Sequence, residues 1–343
     1  MTQKRLRAAV IGCGFFAQNH LHAWQMIEGV DLVAVCDRDE ARARAAAENF
    51  SVPGCYTDAA AMFAAETLDF VDIATTMPTH RPLVELAARH RVPIVVQKPF
   101  APTWEDCVSM VGTCKSAGIP LMVHENFRFQ APLMAVRKVL EQGTIGTPHF
   151  GRLSFRTGYD VFANQPYLAK EEHLIILDLG IHVLDMARVY FGEVETVYCQ
   201  TQKIRPGLVA EDMATMLLRH RSGAACIVDV SYSSKLDPDP FPETLLEIEG
   251  PRGSIRMRPG LRMVVTSDGK TTATDAGTPL LPWTSQPWHT AQESVLNTQQ
   301  HWVDCLRAGV PPQTTGEDNL RTYALVTAAY RSNAERRAVA PDM

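Results

Sequence analysis

The sequence predicts an α/β chain in two parts: a doubly wound parallel sheet, then an α+β half built on a large, mostly antiparallel sheet. Three observations predict it. Over residues 1–126 short apolar runs alternate with helix-favouring stretches. A G-x-G-x-x-A motif stands between the first apolar run and the first helix. Over residues 127–343 strand-like runs instead follow one another across short turns. These two spans are the expected domains.

Leu6–Ile11 is a short apolar run ending in glycine, the pattern of a buried parallel strand. Gly12, Gly14 and Ala17 follow, and residues 18–26 read as helix. A dinucleotide needs this arrangement. Gly12 permits the tight turn, Gly14 lets backbone approach a pyrophosphate, and Ala17 allows close helix–strand packing. The helix N-terminus offers free N–H groups and partial positive charge to phosphates. A second strand, 31–36, ends at Asp37, about 20 residues past the motif, where a carboxylate meets ribose hydroxyls. Asp37 would repel a 2′-phosphate, so NAD is expected over NADP, with Arg38 the residue that could hold such a phosphate.

The remaining elements of this Rossmann-type half follow in turn. Residues 39–49 are rich in Ala, Arg and Glu and favour helix. A strand at 54–56, a helix at 58–65 and a strand at 69–74 lead to TTMPTH and a helix at 81–90. Residues 93–96 form a strand ending in Gln97-Lys98-Pro99, 103–117 a helix and 121–124 a strand. Right-handed crossovers then place all strands parallel, with ligands beyond their carboxyl ends. Those ends carry 12–16 (including Phe15 and Phe16), Asp37, 75–80, 97–99 and 125–128.

In the second half a helix at 131–142 precedes a strand at 148–156 and a polar-aromatic loop at 158–170. A long helix spans 171–191, and strands are expected at 194–203, 213–220, 224–233, 244–249 and 261–266. Residues 281–287 are irregular, and helices at 293–307 and 317–333 close the chain. A sheet with a helix on one face needs its other face covered, which predicts a homodimer or homotetramer. Val228, Val230 and Tyr232 are candidates for that patch.

Composition narrows the function. The chain has 343 residues, is 46% hydrophobic and 21% charged, and carries a net charge of −5. That offers no basic field for nucleic acid or an anionic membrane. Lys4, Arg5 and Arg7 precede an apolar run too short for a signal peptide, and no run reaches transmembrane length, so a soluble, cytoplasmic protein is expected. The eight cysteines include no C-x-x-C pair and read as reduced core thiols, and no histidine or cysteine set has metal-ligand spacing.

Two places carry chemistry. Asp178, His182 and Asp185 lie four and three residues apart in HLIILDLGIHVLDMARVYFG, along one helix face. On the residues alone this reads equally as a buried helix whose histidine is held by Asp178 or Asp185, or as a proton-transfer site. Lys98 closes an apolar strand on the nucleotide side, where an ammonium would stabilise a developing alkoxide.

AVIGCGFFAQNH, TTMPTH, QKP, ENFRF and LDLGIHVLD, in that order and across nearly the whole chain, resemble the glucose–fructose oxidoreductase/inositol dehydrogenase (Gfo/Idh/MocA) family of NAD(P)-dependent sugar and polyol dehydrogenases. The resemblance implies that Lys98 and His182 are catalytic, that Asp178 helps to hold substrate, and that the Lys98–Pro99 peptide is cis. It implies that Thr75, Thr76 and His80 line the nicotinamide side, with Asn126 and Arg128 beside the cofactor and substrate. Gln97 departs from the family, which commonly has Glu there; its amide can still bond to the nicotinamide ribose. The expected reaction is oxidation of a sugar or polyol hydroxyl, for an aldose at C1 to a lactone. Asn164 and Gln165 of the polar-aromatic loop are candidates for hydroxyl recognition. Two rivals are an NAD-assisted elimination that cleaves a glycosidic bond through transient oxidation, and a nucleotide-binding regulator without catalysis.

Overall fold

The computed structural model describes residues 4–342. The chain forms two compact units, one from residues up to Glu125 with Val295–Leu320, the other from Asn126–Ser294 with the residues from Arg321 onward. The first unit contains β1 (Leu6–Ile11), α1 (Ala17–Met26), β2 (Val30–Cys36), α2 (Glu40–Asn49), β3 (Gly54–Tyr56), α3 (Ala59–Ala65), β4 (Phe70–Ile73), α4 (His80–Arg89), β5 (Ile94–Gln97), α5 (Trp104–Ala117) and β6 (Leu121–His124). Its six strands are all parallel in the order β3-β2-β1-β4-β5-β6. The chain reverses direction across the sheet between β1 and β4, and such a switch point leaves a crevice at the strands' carboxyl ends. β4, β5 and β6 are buried throughout, which explains why they are mostly apolar, with Asp72 in β4 the internal exception. α2 and α5 start where short polar side chains cap them. Asp39 accepts from the N–H groups of Ala41 and Arg42, and Thr103 from that of Asp106.

The second unit is built on α6 (Ala131–Glu141), β7 (Phe150–Arg156), α7 (Ile181–Phe191), β8 (Val194–Gln202), β9 (Met213–His220), β10 (Ala225–Ser231), β11 (Leu245–Gly250), β12 (Gly253–Arg258), β13 (Arg262–Ser267) and β14 (Lys270–Asp275). Its eight strands run β14-β13-β12-β11-β7-β10-β9-β8. All neighbours are antiparallel except β7 and β10, which pair in parallel. α7 packs on β7 and β10. Two helices follow, α8 (His289–Ala308) and α9 (Gly316–Glu335).

The expected elements differ from this in four respects. A single cut at residue 126 is replaced by a returning segment: Trp302 and Val303 of α8 enter the first unit's core beside Trp24, Phe70 and Val95. β12 and β14 were not expected as strands, and the parallel β7–β10 pair interrupts the antiparallel order. The long helix begins later than residue 171 and opens on a π-helical turn, Ile176–Gly180, before α7. Val228, Val230 and Tyr232 point into the core rather than to an open face. On that open face Tyr198, Leu217 and Ile227 are direct cross-strand neighbours, and Tyr198 and Leu217 are 41% and 50% exposed. Among the described residues no helix is long and apolar enough to cross a membrane.

Candidate active-site residues

The glycine turn after β1 has the geometry a pyrophosphate needs. Gly12 sits at φ +102°, and a Cβ there would stand 2.6 Å from the Ala74 carbonyl oxygen, so only glycine fits. At Gly14 the only atom near an added Cβ is Nη1 of Arg42, at 3.9 Å, which leaves the backbone open to a ligand. The Phe16 side chain does not cap α1, and Asn19 N–H turns back to the Phe16 carbonyl at 3.0 Å, so the helix N-terminus presents its positive end without a carboxylate or hydroxyl cap. Asp37 ties the turn to the end of β2, one carboxylate oxygen accepting from Cys13 N at 2.8 Å and the other from Asp39 N at 2.9 Å. Its remaining lone pairs are those a ribose would meet. These residues fit a dinucleotide. Arg38 is exposed, as is Phe15. Phe16 lays its ring edge-on to His20 at 5.7 Å. Burial pushes the Cys13 thiol up to about 12, with Asp37 adding to the effect, so it is no thiolate at neutral pH.

The next strand ends are braced from behind. The Thr79 hydroxyl donates to that of Thr75 at 2.7 Å, while Thr76 is exposed. His80 corrects its expected placement. It is wholly buried, its ring nitrogens 3.0 Å from the Phe100 carbonyl and 3.1 Å from the Thr75 carbonyl. Burial lowers its imidazole below the ordinary value, although those carbonyls pull the other way. His80 therefore clamps the loop after β4 to the segment after Lys98 rather than lining a ligand surface. The Lys98–Pro99 peptide is cis. Gln97 is buried, and its Oε1 accepts from the Lys98 backbone N–H at 2.7 Å.

In the second unit the π turn places Asp178, and α7 begins three residues later. Such turns recur at functional sites because the extra residue redirects side chains. Asp178 accepts a 2.7 Å hydrogen bond from the Tyr232 hydroxyl. Burial raises the Tyr232 phenol well above its ordinary value, and the Asp178 charge adds to it, so the phenol stays a donor. His182 is buried and stacks on Phe127, centroids 4.0 Å apart and planes within 5°. That stack fixes the ring plane.

Asp185 does not serve His182. Arg128 grips it with two bonds of 2.5 and 2.7 Å, the Thr322 hydroxyl donates at 2.6 Å and Arg188 lies at 3.5 Å. This corrects the reading of Arg128 as a substrate ligand, since its guanidinium is spent on a buried ion pair. Asn126 likewise donates its amide N–H to Ser294 Oγ at 2.7 Å, within the second unit. In the loop before α7, Asn164 is exposed and Gln165 accepts from Tyr167 at 3.0 Å. Tyr159 belongs instead to an aromatic cluster, stacked on Phe241 at 4.2 Å and accepting from the Trp288 indole at 3.1 Å. Sequence reasoning gave no place in the site to Phe127, Arg42 or the His20–Asp72 pair, and it assigned Tyr232 to a self-association patch instead. Only ENFRF and the residues just after Asp37 carried a signal. Among the described residues no group of three or more His, Cys, Asp or Glu could hold a metal ion.

Two family models match the chain. Residues 6–125 match an oxidoreductase family with an NAD-binding Rossmann fold, and 133–256 match the GFO/IDH/MocA C-terminal domain. A D-apiose dehydrogenase from Rhizobium rhizogenes is 53% identical over 339 residues, 99% of this chain and 98% of its own. The chain belongs to the Gfo/Idh/MocA family. A second relative in it, D-apiose dehydrogenase from Paraburkholderia graminis, is 52% identical, covering 98% of this chain and 90% of its own. Among solved structures, an oxidoreductase from Agrobacterium radiobacter in complex with NAD+, L-tartaric acid and magnesium superposes with a TM-score of 0.97 at 53% identity over 98% of each chain. This Gfo/Idh/MocA protein is thus an NAD-binding oxidoreductase.

Proposed function

We propose that this chain is a D-apiose dehydrogenase that oxidises the anomeric hydroxyl to a lactone. Identity of 53% over nearly the full length to a protein of that name carries the reading. NAD, when bound, would supply the acceptor for the hydride that leaves the carbinol carbon. The chain's own residues do the rest. His182, its plane fixed by Phe127, takes the hydroxyl proton. Lys98 lowers the cost of charge on the carbinol oxygen. Asp178, steadied by Tyr232, accepts from a sugar hydroxyl, and Asn164 and Gln165 contribute further hydrogen bonds. The protein works as a homodimer or homotetramer through its open sheet face.

Incubating the enzyme with a panel of aldoses and polyols and reading NADH absorbance tests the reading. D-apiose should give the highest kcat/KM, with NAD preferred to NADP. A faster hexose or inositol would overturn the substrate assignment. Sugar consumed without net NADH would replace oxidation by elimination.

A further inference from the structure

A buried polar chain runs through the first unit and ends at Lys98. Its centre is Asp72, in the middle of β4 and wholly inaccessible. One oxygen, Oδ2, receives Trp24 Nε1 at 2.7 Å and Gln299 Nε2 at 3.3 Å and lies 2.8 Å from His20 Nδ1. Its other oxygen, Oδ1, is buried with no hydrogen-bond partner among the described residues. His20 is equally inaccessible, and its Nε2 lies 3.0 Å from Gln97 Nε2. The His124 ring packs against it, centroids 4.3 Å apart.

The protons in this chain can be assigned in order. The Lys98 backbone N–H is a donor, so the Gln97 atom facing it is the amide oxygen. The Gln97 NH₂ therefore faces His20, and an NH₂ only donates. His20 Nε2 must accept, which leaves its proton on Nδ1, donated to Asp72. The ring is neutral and in one tautomer. A fully buried carboxylate with a bare oxygen costs more than apolar packing would, so stability does not explain Asp72. Geometry does, because each member has one orientation that satisfies its neighbours.

We propose that His20 is a positioning residue for catalysis: Asp72 fixes its tautomer, its bare Nε2 holds the Gln97 amide, and that amide holds the Lys98 backbone. The effect on turnover rests on the assignment of Lys98 to catalysis. The tautomer does not.

Two measurements on the full-length enzyme with NAD test this. In protein labelled with ¹⁵N-histidine, the His20 signal, identified by its loss in His20→Gln, should show Nδ1 protonated and Nε2 bare at neutral pH. Protonation at Nε2 overturns the proposal. For turnover, His20→Phe removes both contacts, whereas His20→Gln offers an amide oxygen to Gln97 and an NH₂ to Asp72. His20→Phe should lower kcat about 10²-fold, the scale of a small misplacement of a reacting group. His20→Gln should recover most of it, and KM for NAD should hold in both. Equal kcat in the two variants, at any level, overturns the proposal. Lys98→Ala with wild-type kcat would unseat the catalytic reading alone, and the nitrogen spectrum would still decide the tautomer.

Discussion

His182 and Lys98 are assigned different work, and their variants should differ accordingly. Only neutral imidazole accepts a proton, so kcat should rise with pH along a limb that His182→Ala loses, with a fall of about 10²–10⁴. Lys98→Ala should be severely slowed yet keep that limb, because an ammonium beside an alkoxide acts by its charge. Both should bind NAD as the wild type does, since the anchors proposed for it are the glycine turn and Asp37. A pH–rate profile for each, with NAD titrations, checks this; an unaltered profile in His182→Ala would point to another base. At this scale the sequence was legible where one residue type is compulsory. Gly12 is such a position, with its positive φ and the Ala74 carbonyl in the way of a Cβ. Partnerships between distant residues were not legible. His20 and Asp72 are 52 positions apart, and Asp72 reads as one polar letter in an apolar strand until folding puts α1 over β4.

Among the elements, α7 is pinned by the buried Arg128–Asp185 pair, and its pH dependence has a definite sign. Burial raises the Asp185 carboxyl, and Arg128 and then Arg188 overrule it, so the folded value lies below the ordinary one. The stabilisation is therefore complete above the unfolded value of about 4 and is lost as pH falls through the lower folded value. Asp185→Asn takes the paired carboxylate charge away from the buried Arg128 guanidinium, while Arg188 keeps Glu193, and should cost about 3–5 kcal/mol at neutral pH. Its loss of stability on acidification should be shallower than that of the wild type. Urea unfolding at neutral pH and near pH 3 measures both; a parallel acid response would remove Asp185 from the account. The parallel sheet was readable because burial on both faces writes itself as apolar runs. β14 was not, because all six of its residues are exposed and no alternation marks it. The π turn was hidden for a different reason: its residues are as apolar as the helix it opens, and one extra residue per turn leaves no mark in composition.

For the molecule as a whole, self-association is the property to measure next. Tyr198, Leu217 and Ile227 form an apolar strip across β8, β9 and β10. Light scattering at micromolar concentration should report a multiple of 38.0 kDa, and Leu217→Glu should move it toward one chain. A wild-type monomer would count against the idea. The domain order was legible from where alternation of strand and helix gives way to successive strands; the return of α8 was not, because an amphipathic helix does not name the core it fills. That return bears on how the protein is made. Trp24 and Phe70 leave the ribosome early, but Trp302 and Val303, which complete their core, come only after residues 126–294. At about 5–20 residues per second that interval is on the order of 10–30 s. Throughout it the nascent nucleotide-binding half carries an uncovered aromatic surface, the kind of surface that chaperones hold and that aggregates when they do not. Slow translation of the second unit would thus lower the yield of the first.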